Sequence, residues 1–137
     1  MNYLSTRGQT RPHTFSEAVE VGLAADGGLF LPESLPVISE KLAAWPSLGY
    51  AELAAEFLQI FAPEISAQEW HELTAQAYAR FDSAEVAPLR KITDKTFVLE
   101  LWHGPTLAFK DMALQLLGLL YKRQVKASGK RLAVLGA

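Results

Sequence analysis

Two segments in the middle of the chain carry hydrophobic side chains at helical spacing. Residues 50–61 and 66–81 each repeat apolar positions every three or four residues, which predicts two amphipathic helices. The predicted apolar faces consist of Leu53, Phe57, Ile60 and Phe61 in the first segment, and of Trp70, Leu73, Ala77, Tyr78 and Phe81 in the second. We expect both faces to pack in a hydrophobic core.

Polar residues mark the helix starts. Thr14 followed by Glu17, and Ser66 followed by Glu69, have the spacing of a capping box, in which side chains and backbone amides of the first turn satisfy one another. The first pair predicts a helix that ends near Gly22. Residues 3–8 and 29–32 predict short extended segments on either side of it, and residues 39–45 predict a short helix that stops before proline.

The pattern changes after residue 81. Residues 89–92 and 97–101 predict two short strands joined by a turn, and residues 109–127 predict a long helix that is apolar almost all round. Residues 131–137 predict a buried strand. Strand, loop, helix and strand indicate a βαβ unit with a parallel sheet. Because a strand that enters a sheet and stops at once leaves the long helix uncovered, we expect the chain to be a fragment.

These elements predict an α/β protein with a helix-rich N-terminal region. That region is followed by the start of a mostly parallel α/β core, truncated at the C-terminus. We place the boundary between a mostly helical domain of residues 1–88 and an incomplete core of residues 89–137.

The composition of the chain limits the classes of binding partner that we expect. The chain has 137 residues, of which 50% are hydrophobic and 20% charged, with a net charge of -2 and no basic stripe, so nucleic acid and anionic membranes are not expected partners. Cysteine is absent, which excludes disulfides and fits a reducing compartment. The N-terminus lacks the apolar region of a secretory signal, and the apolar window 112–121 is about half as long as a membrane span. We expect a soluble, cytoplasmic protein.

The sequence lacks residues that two kinds of site require, a zinc-binding helix and a P-loop. The histidines at 13, 71 and 103 are isolated in sequence, and residues 71–75 lack the second histidine of a zinc-binding helix, so no metal site is predicted. Residues 104–111 lie where a P-loop would lie, between strand and helix. Phe109 stands where a P-loop needs glycine, and Asp111 stands where it needs a hydroxyl for Mg²⁺.

Lys110 begins the long helix, where the peptide dipoles disfavour a cation. Its neighbours Leu107, Phe109 and Met112 are apolar, so desolvation would favour the neutral amine. A neutral amine in a dry pocket is a nucleophile that can form a Schiff base with a carbonyl. The alternative is a surface lysine whose stem lies along the helix start. The residues themselves make Lys110 a candidate Schiff-base lysine.

Residues 100–115, ELWHGPTLAFKDMALQ, resemble the lysine segment of the threonine synthase family. These are pyridoxal-phosphate enzymes of the tryptophan-synthase-β fold group. The resemblance extends through YLSTRG at 3–8, TFSEAVEVGLAADGGLFLPESLP at 14–36 and LGYAELAAEFL at 48–58. The ending LAVLGA at 132–137 resembles the strand that precedes the family's Ser/Thr- and Gly-rich loop.

This resemblance implies that Lys110 binds pyridoxal 5'-phosphate as a Schiff base and then moves protons at the substrate carbons. It implies that Phe109 and His103 shape the wall of the cofactor pocket, within a cofactor-binding core that begins at residue 89. Asp111 is expected to cap or neutralise the first helical turn, and residues 5–8 and 25–28 to be structural. The family converts O-phospho-L-homoserine and water to L-threonine and phosphate, with the cofactor as electron sink.

In the family, the residues that hold the cofactor's phosphate and pyridine nitrogen lie beyond position 137. We therefore expect the chain to be inactive alone and to self-associate through the 109–127 helix and the 131–135 edge strand. Two alternatives stay open. One is another pyridoxal-phosphate enzyme of this fold group, such as a threonine-synthase-like phospholyase or a dehydratase. The other is a non-catalytic interaction module with no Schiff base at Lys110.

Overall fold

The computed structural model describes residues 1–133, and its elements alternate short strands with helices. Two antiparallel strand pairs, β1 with β2 and β3 with β4, accompany the helices in this part of the chain. In chain order the elements are β1 (Tyr3–Ser5), α1 (Phe15–Val21), β2 (Phe30–Pro32), a 3-10 turn (Trp45–Ser47), α2 (Tyr50–Phe61), α3 (Ala67–Tyr78), β3 (Leu89–Lys91), β4 (Phe97–Leu99) and α4 (Asp111–Ser128).

Side-chain caps start the helices where the sequence predicts them. The Thr14 hydroxyl accepts from the Glu17 amide at 3.2 Å, and the Glu17 carboxylate accepts from the Thr14 amide at 2.9 Å, so this capping box is confirmed. At α3 only half of the box forms. Ser66 accepts from the Glu69 amide, but the Glu69 carboxylate pairs with Arg123 of α4 at 2.7 Å instead of returning to the cap.

The core is built around α3, which packs against both α2 and α4. Its predicted apolar face is confirmed, because Trp70, Ala77 and Tyr78 are buried in one cluster with Leu116 and Leu120 of α4. Hydrogen bonds from buried rings tie the layers together. The Trp70 indole donates to the carbonyl of residue 62 at 3.2 Å, and the Tyr78 hydroxyl donates to the carbonyl of residue 112 at 3.1 Å.

The predicted face of α2 is wrong. Ala55 is the buried residue of this helix, and Tyr50, Ala51, Ala54 and Leu58 are the partly buried residues that contact the core. Small alanine side chains allow close approach of neighbouring helices, since interaxial distance depends on the side chains at the contact. The larger residue Phe57 is 41% exposed. Its ring packs on Trp45 and Phe61 instead, with centroids 6.1 and 5.1 Å away.

The short helix predicted at residues 39–45 is also wrong. Residues 39–44 form turns, and Pro46 lies inside the single 3-10 turn that follows. Short helices are marginal without an apolar face to pack. Leu42 in this segment is 53% exposed, so the packing that would stabilise a helix is missing.

The second half contains the predicted hairpin and long helix. Strands β3 and β4 pair with Leu89 opposite Leu99, and α4 ends at Gly129, whose φ of +66° closes the helix in the left-handed region. In the described residues α4 is only partly covered, since Leu114 is 51% exposed. Of the predicted final strand, residues 131–133 are not in a strand and residues 134–137 lie outside the described part. The parallel core therefore stays a prediction.

Among residues 1–133, every helix is too short or too polar to cross a bilayer.

Candidate active-site lysine and its loop

A loop of residues 100–110 connects β4 to α4 and carries the site residues that the sequence predicts. Lys110 is the residue immediately before α4, as expected, and its carbonyl accepts from the amide of residue 114 at 2.9 Å. Leu107 has a φ of +60°, which is uncommon for a residue with a side chain. The loop amide of Leu107 donates to the carbonyl of Gly104 at 3.0 Å, so the chain turns tightly before the lysine.

The Lys110 side chain is exposed at the edge of an open depression of about 440 Å³. The residues that share this depression are Tyr50, Leu101, Phe109, Met112, Ala113 and Leu114. Within residues 1–133, no salt bridge joins the Lys110 amine to a carboxylate. The expectation of a desolvated amine is wrong for this part of the chain, because Leu107 and Phe109 are 69% and 66% exposed and do not enclose it.

Asp111, the first residue of α4, is 1% exposed, and its carboxylate binds the loop that precedes it. Its Oδ2 accepts from the Thr106 amide at 2.7 Å and from the Thr106 hydroxyl at 2.9 Å. Its Oδ1 accepts from the Gln115 side-chain amide at 3.0 Å. Burial raises the pKa of Asp111, but the hydrogen bonds from Thr106 and Gln115 outweigh that effect, and the pKa lies below its usual value. Asp111 thus lies in the first turn as expected, but its bonds fasten the loop.

Gly104 lies against Asp111 so closely that a side chain does not fit. A Cβ atom at position 104 would stand 2.6 Å from Asp111 Oδ2 and 2.8 Å from its Cγ. Sequence analysis gave no role to Gly104, Thr106 or Gln115. The spacing of Asp111 and Gln115, four apart on one helix, was the available signal for one of these contacts.

His103 is held by two carboxylates rather than facing the lysine depression. Its Nδ1 lies 2.6 Å from Asp82 Oδ1, and its Nε2 lies 2.8 Å from Glu100 Oε2. The Arg90 guanidinium is 3.7 Å from the same Glu100 oxygen. Hydrogen bonds to Glu100 and then to Asp82 raise the pKa of His103 above its usual value. The structure therefore brings Phe109 and Lys110 to one depression and places His103 at the other end of the loop.

The raised pKa of His103 predicts a pH-dependent anchor for this loop. A group whose pKa is higher in the folded protein stabilises it fully below the unfolded pKa of about 6.5 and loses that contribution as pH rises through the folded pKa. We expect hydrogen exchange of residues 97–104 to accelerate across this range, and His103→Gln to remove the pH dependence. Exchange measured from pH 5.5 to 8.5 and corrected for intrinsic rates tests this. His71→Gln is the control, and an unchanged profile in His103→Gln would contradict the prediction.

Comparisons with known proteins show which family the chain resembles. Residues 2–78 match the family model described as the threonine synthase N terminus. The chain is 44% identical over 139 residues to threonine synthase of Pseudomonas aeruginosa, covering 100% of this chain and 30% of that protein. It is 45% identical over 125 residues to threonine synthase of Schizosaccharomyces pombe, with 89% and 24% covered. Threonine synthase-like 2 of Homo sapiens is 40% identical over 117 residues, with 83% and 24% covered.

Solved structures share the fold. A PLP-bound threonine synthase from Brucella melitensis superposes with a TM-score of 0.91 at 41% identity, over 96% of this chain and 29% of that one. Threonine synthase from yeast gives 0.86 at 36% identity, over 93% and 27%. The architecture is therefore that of the N-terminal α/β region of these enzymes. The chain belongs to the threonine synthase family. It spans about 30% of the length of the Pseudomonas relative.

Proposed function

We propose that this chain forms the N-terminal part of a cytoplasmic enzyme that uses pyridoxal 5'-phosphate to convert O-phospho-L-homoserine and water to L-threonine and phosphate. The longer enzyme is called the full-length protein below. One observation carries the proposal: an exposed, unpaired lysine stands at the head of α4 in the described chain, within a fold that matches a PLP-bound threonine synthase at a TM-score of 0.91.

The residues around Lys110 fit the anchoring end of such a cofactor. A primary amine is needed to bind its aldehyde carbon, and the Lys110 amine is accessible. Aromatic and aliphatic side chains, including Tyr50, Phe109 and Met112, line the same depression and offer an apolar wall to a planar ring. When bound, the cofactor supplies an electron sink that allows phosphate to leave the γ carbon of the substrate.

Three residues of the loop have proposed roles. Lys110 would hold the cofactor through Nζ and, once released, carry protons to and from the substrate carbons as a general acid and base. Phe109 would form part of the pocket wall, which its exposed ring beside Lys110 supports. His103 would border the pocket only from the far end of the loop, because Asp82 and Glu100 hold its ring there.

A second candidate function is favoured by one observation, the 40% identity to threonine synthase-like 2 of Homo sapiens. A phospholyase of this fold group would eliminate phosphate without adding water at the β carbon. The elimination leaves an unsaturated four-carbon amino acid, and its hydrolysis yields 2-oxobutyrate and ammonia. Both reactions release phosphate, so only the carbon product distinguishes them.

The test is to incubate the full-length protein with pyridoxal phosphate and O-phospho-L-homoserine and to measure phosphate, threonine and 2-oxobutyrate. Equal amounts of phosphate and threonine support the proposal. Phosphate with 2-oxobutyrate supports the phospholyase instead. No phosphate release, together with no cofactor bound, would leave the non-catalytic interaction module as the function.

The 137 residues alone are proposed to be inactive and to self-associate, with residues 1–88 as a helical domain and residues 89–137 as an incomplete core. Exposed side chains support the self-association at α4, where Leu114 is 51% exposed, and add the hairpin, where Leu89, Phe97 and Leu99 are 60%, 51% and 54% exposed. Exposed apolar strands pair readily with other chains. We expect the chain to sediment as dimers or larger species in analytical ultracentrifugation, and Phe97→Lys to shift it toward monomer. Val37→Lys, at a 90% exposed position outside the hairpin, is the control. A monomeric parent chain would contradict the prediction.

A further inference from the structure

The part of the loop nearest Lys110, residues 105–109, has little to hold it besides Asp111. Residues 105–109 include two side chains that are more than 60% exposed, Leu107 and Phe109, so packing contributes little here. A positive φ at Leu107 costs free energy that other contacts must offset. The contacts that do so converge on one buried carboxylate, which accepts the Thr106 amide and hydroxyl on one oxygen and the Gln115 amide on the other.

We propose that the Asp111 carboxylate is a positioning residue for Lys110, acting through Thr106 and Gly104 to fix the loop that presents the amine. This inference rests on the proposed function of Lys110. Asp111 is adjacent to Lys110 in the chain, and its partner Thr106 lies within the turn of residues 104–107. The hydrogen bonds therefore join the two ends of segment 106–111, and Lys110 is one of the residues of this closed segment.

The contacts favour an ionised carboxylate at position 111. All three bonds to Asp111 come from donors, and an ionised carboxylate accepts on both oxygens. Asparagine would accept from Thr106 on one neutral oxygen, without the negative charge that strengthens these bonds, and the Gln115 side-chain amide would have to turn over to accept from its nitrogen. Glutamate is one methylene longer, and the close approach of Gly104 leaves no space for it.

The hydroxyl of Thr106 allows a mild variant. Thr106 is exposed, so substitution there does not disturb the core. Thr106→Val keeps the shape and the backbone bond to Asp111 but removes the hydroxyl donor. Thr106→Ser keeps both bonds. The two variants differ from each other mainly in the bond under test.

Asp26 provides a matched control. It is another loop carboxylate with several donors, accepting from the Ser5 hydroxyl at 2.6 Å, the Gln9 amide at 3.0 Å and the Gly28 amide at 2.9 Å. Its loop belongs to the N-terminal strand pair and does not contain Lys110. Asp26→Asn therefore removes the same kind of network without changing the lysine loop.

The experiment uses the full-length protein with two readouts besides turnover. The first is hydrogen exchange of residues 104–110, and the second is the rate at which pyridoxal phosphate and borohydride modify Lys110, measured by peptide mass spectrometry. We expect Asp111→Asn and Thr106→Val to accelerate the exchange and to slow the modification. We expect kcat to fall roughly 10- to 100-fold in Asp111→Asn with little change in KM, because a small displacement of a reacting group costs that much. Thr106→Ser and Asp26→Asn should retain parental modification rates.

The outcomes separate this inference from the proposed function. If the parent protein is modified at Lys110 and Asp111→Asn is modified at the same rate, the positioning role is wrong while the proposed function stands. If Asp111→Asn and Asp26→Asn slow the modification equally, the effect is one of general stability, and the positioning role is again wrong. If the parent is not modified at Lys110 at all, the proposed function fails, and the inference fails with it.

Discussion

Replacing Lys110 with alanine in the full-length protein is expected to lower the rate of O-phospho-L-homoserine conversion by roughly 10³-fold or more. Losses of this size are found when a covalent catalytic group is removed. The amine would both hold the cofactor and move protons, so no other group of the loop replaces it. Lys110 is exposed, and the alanine variant should therefore fold normally. Threonine production and the absorbance of bound cofactor are the measurements.

Two variants make this result specific. Lys110→Arg keeps a positive charge at the head of α4 but cannot form a Schiff base under these conditions, and it should be as inactive as alanine. Lys122→Ala removes an exposed lysine from the same helix and should retain parental activity. Substantial threonine production by Lys110→Ala would show that the site lies elsewhere.

Replacing Trp70 with alanine is expected to destabilise the N-terminal region by about 3–5 kcal/mol. The side chain has 0% exposure, and its ring meets the Phe15 ring edge-on at 5.9 Å. Truncation leaves a cavity between α1 and α3 and removes the indole donor to the carbonyl of residue 62. Because domains are stable by only about 5–15 kcal/mol, this loss is a large fraction of the total.

The urea midpoint of the full-length protein, followed by circular dichroism, measures the effect. Trp102→Ala serves as the matched control, since this side chain is 48% exposed and its removal should cost about 1 kcal/mol or less. Similar losses in the two variants would contradict the packing described for α3.

The helices that carry a local sequence signal, a capping pair or a regular apolar face, could be predicted from the sequence. The Thr14 and Glu17 pair and the regular apolar face of residues 66–81 depend on neighbours within one or two turns, so α1 and α3 were predictable. The face of α2 was not, because hydrophobic size favours Phe57 whereas the contact between helices uses Ala55. That choice is made by the partner helix, which the local pattern does not describe.

The candidate site likewise has one part that the sequence predicts and another that depends on the folded loop. The place of Lys110 at the head of the long helix was predictable from the apolar pattern that follows it, and its role stays a prediction. The contacts of Asp111 with Thr106 and Gly104 depend on how the loop folds back on α4, and no residue spacing encodes that turn. A contact between distant residues crosses the proposed domain boundary at residue 88, since Leu116 and Leu120 pack in the same core as Trp70. Helix α4 thereby fastens the lysine loop to the helical layer.

The measurement that tests the central claim most directly is borohydride reduction of the full-length protein with pyridoxal phosphate, followed by proteolysis and mass spectrometry. The account predicts one stoichiometric phosphopyridoxyl group on Lys110, in the peptide that begins the α4 helix. A cofactor attached to a different lysine, or no attached cofactor in a folded protein, would contradict it.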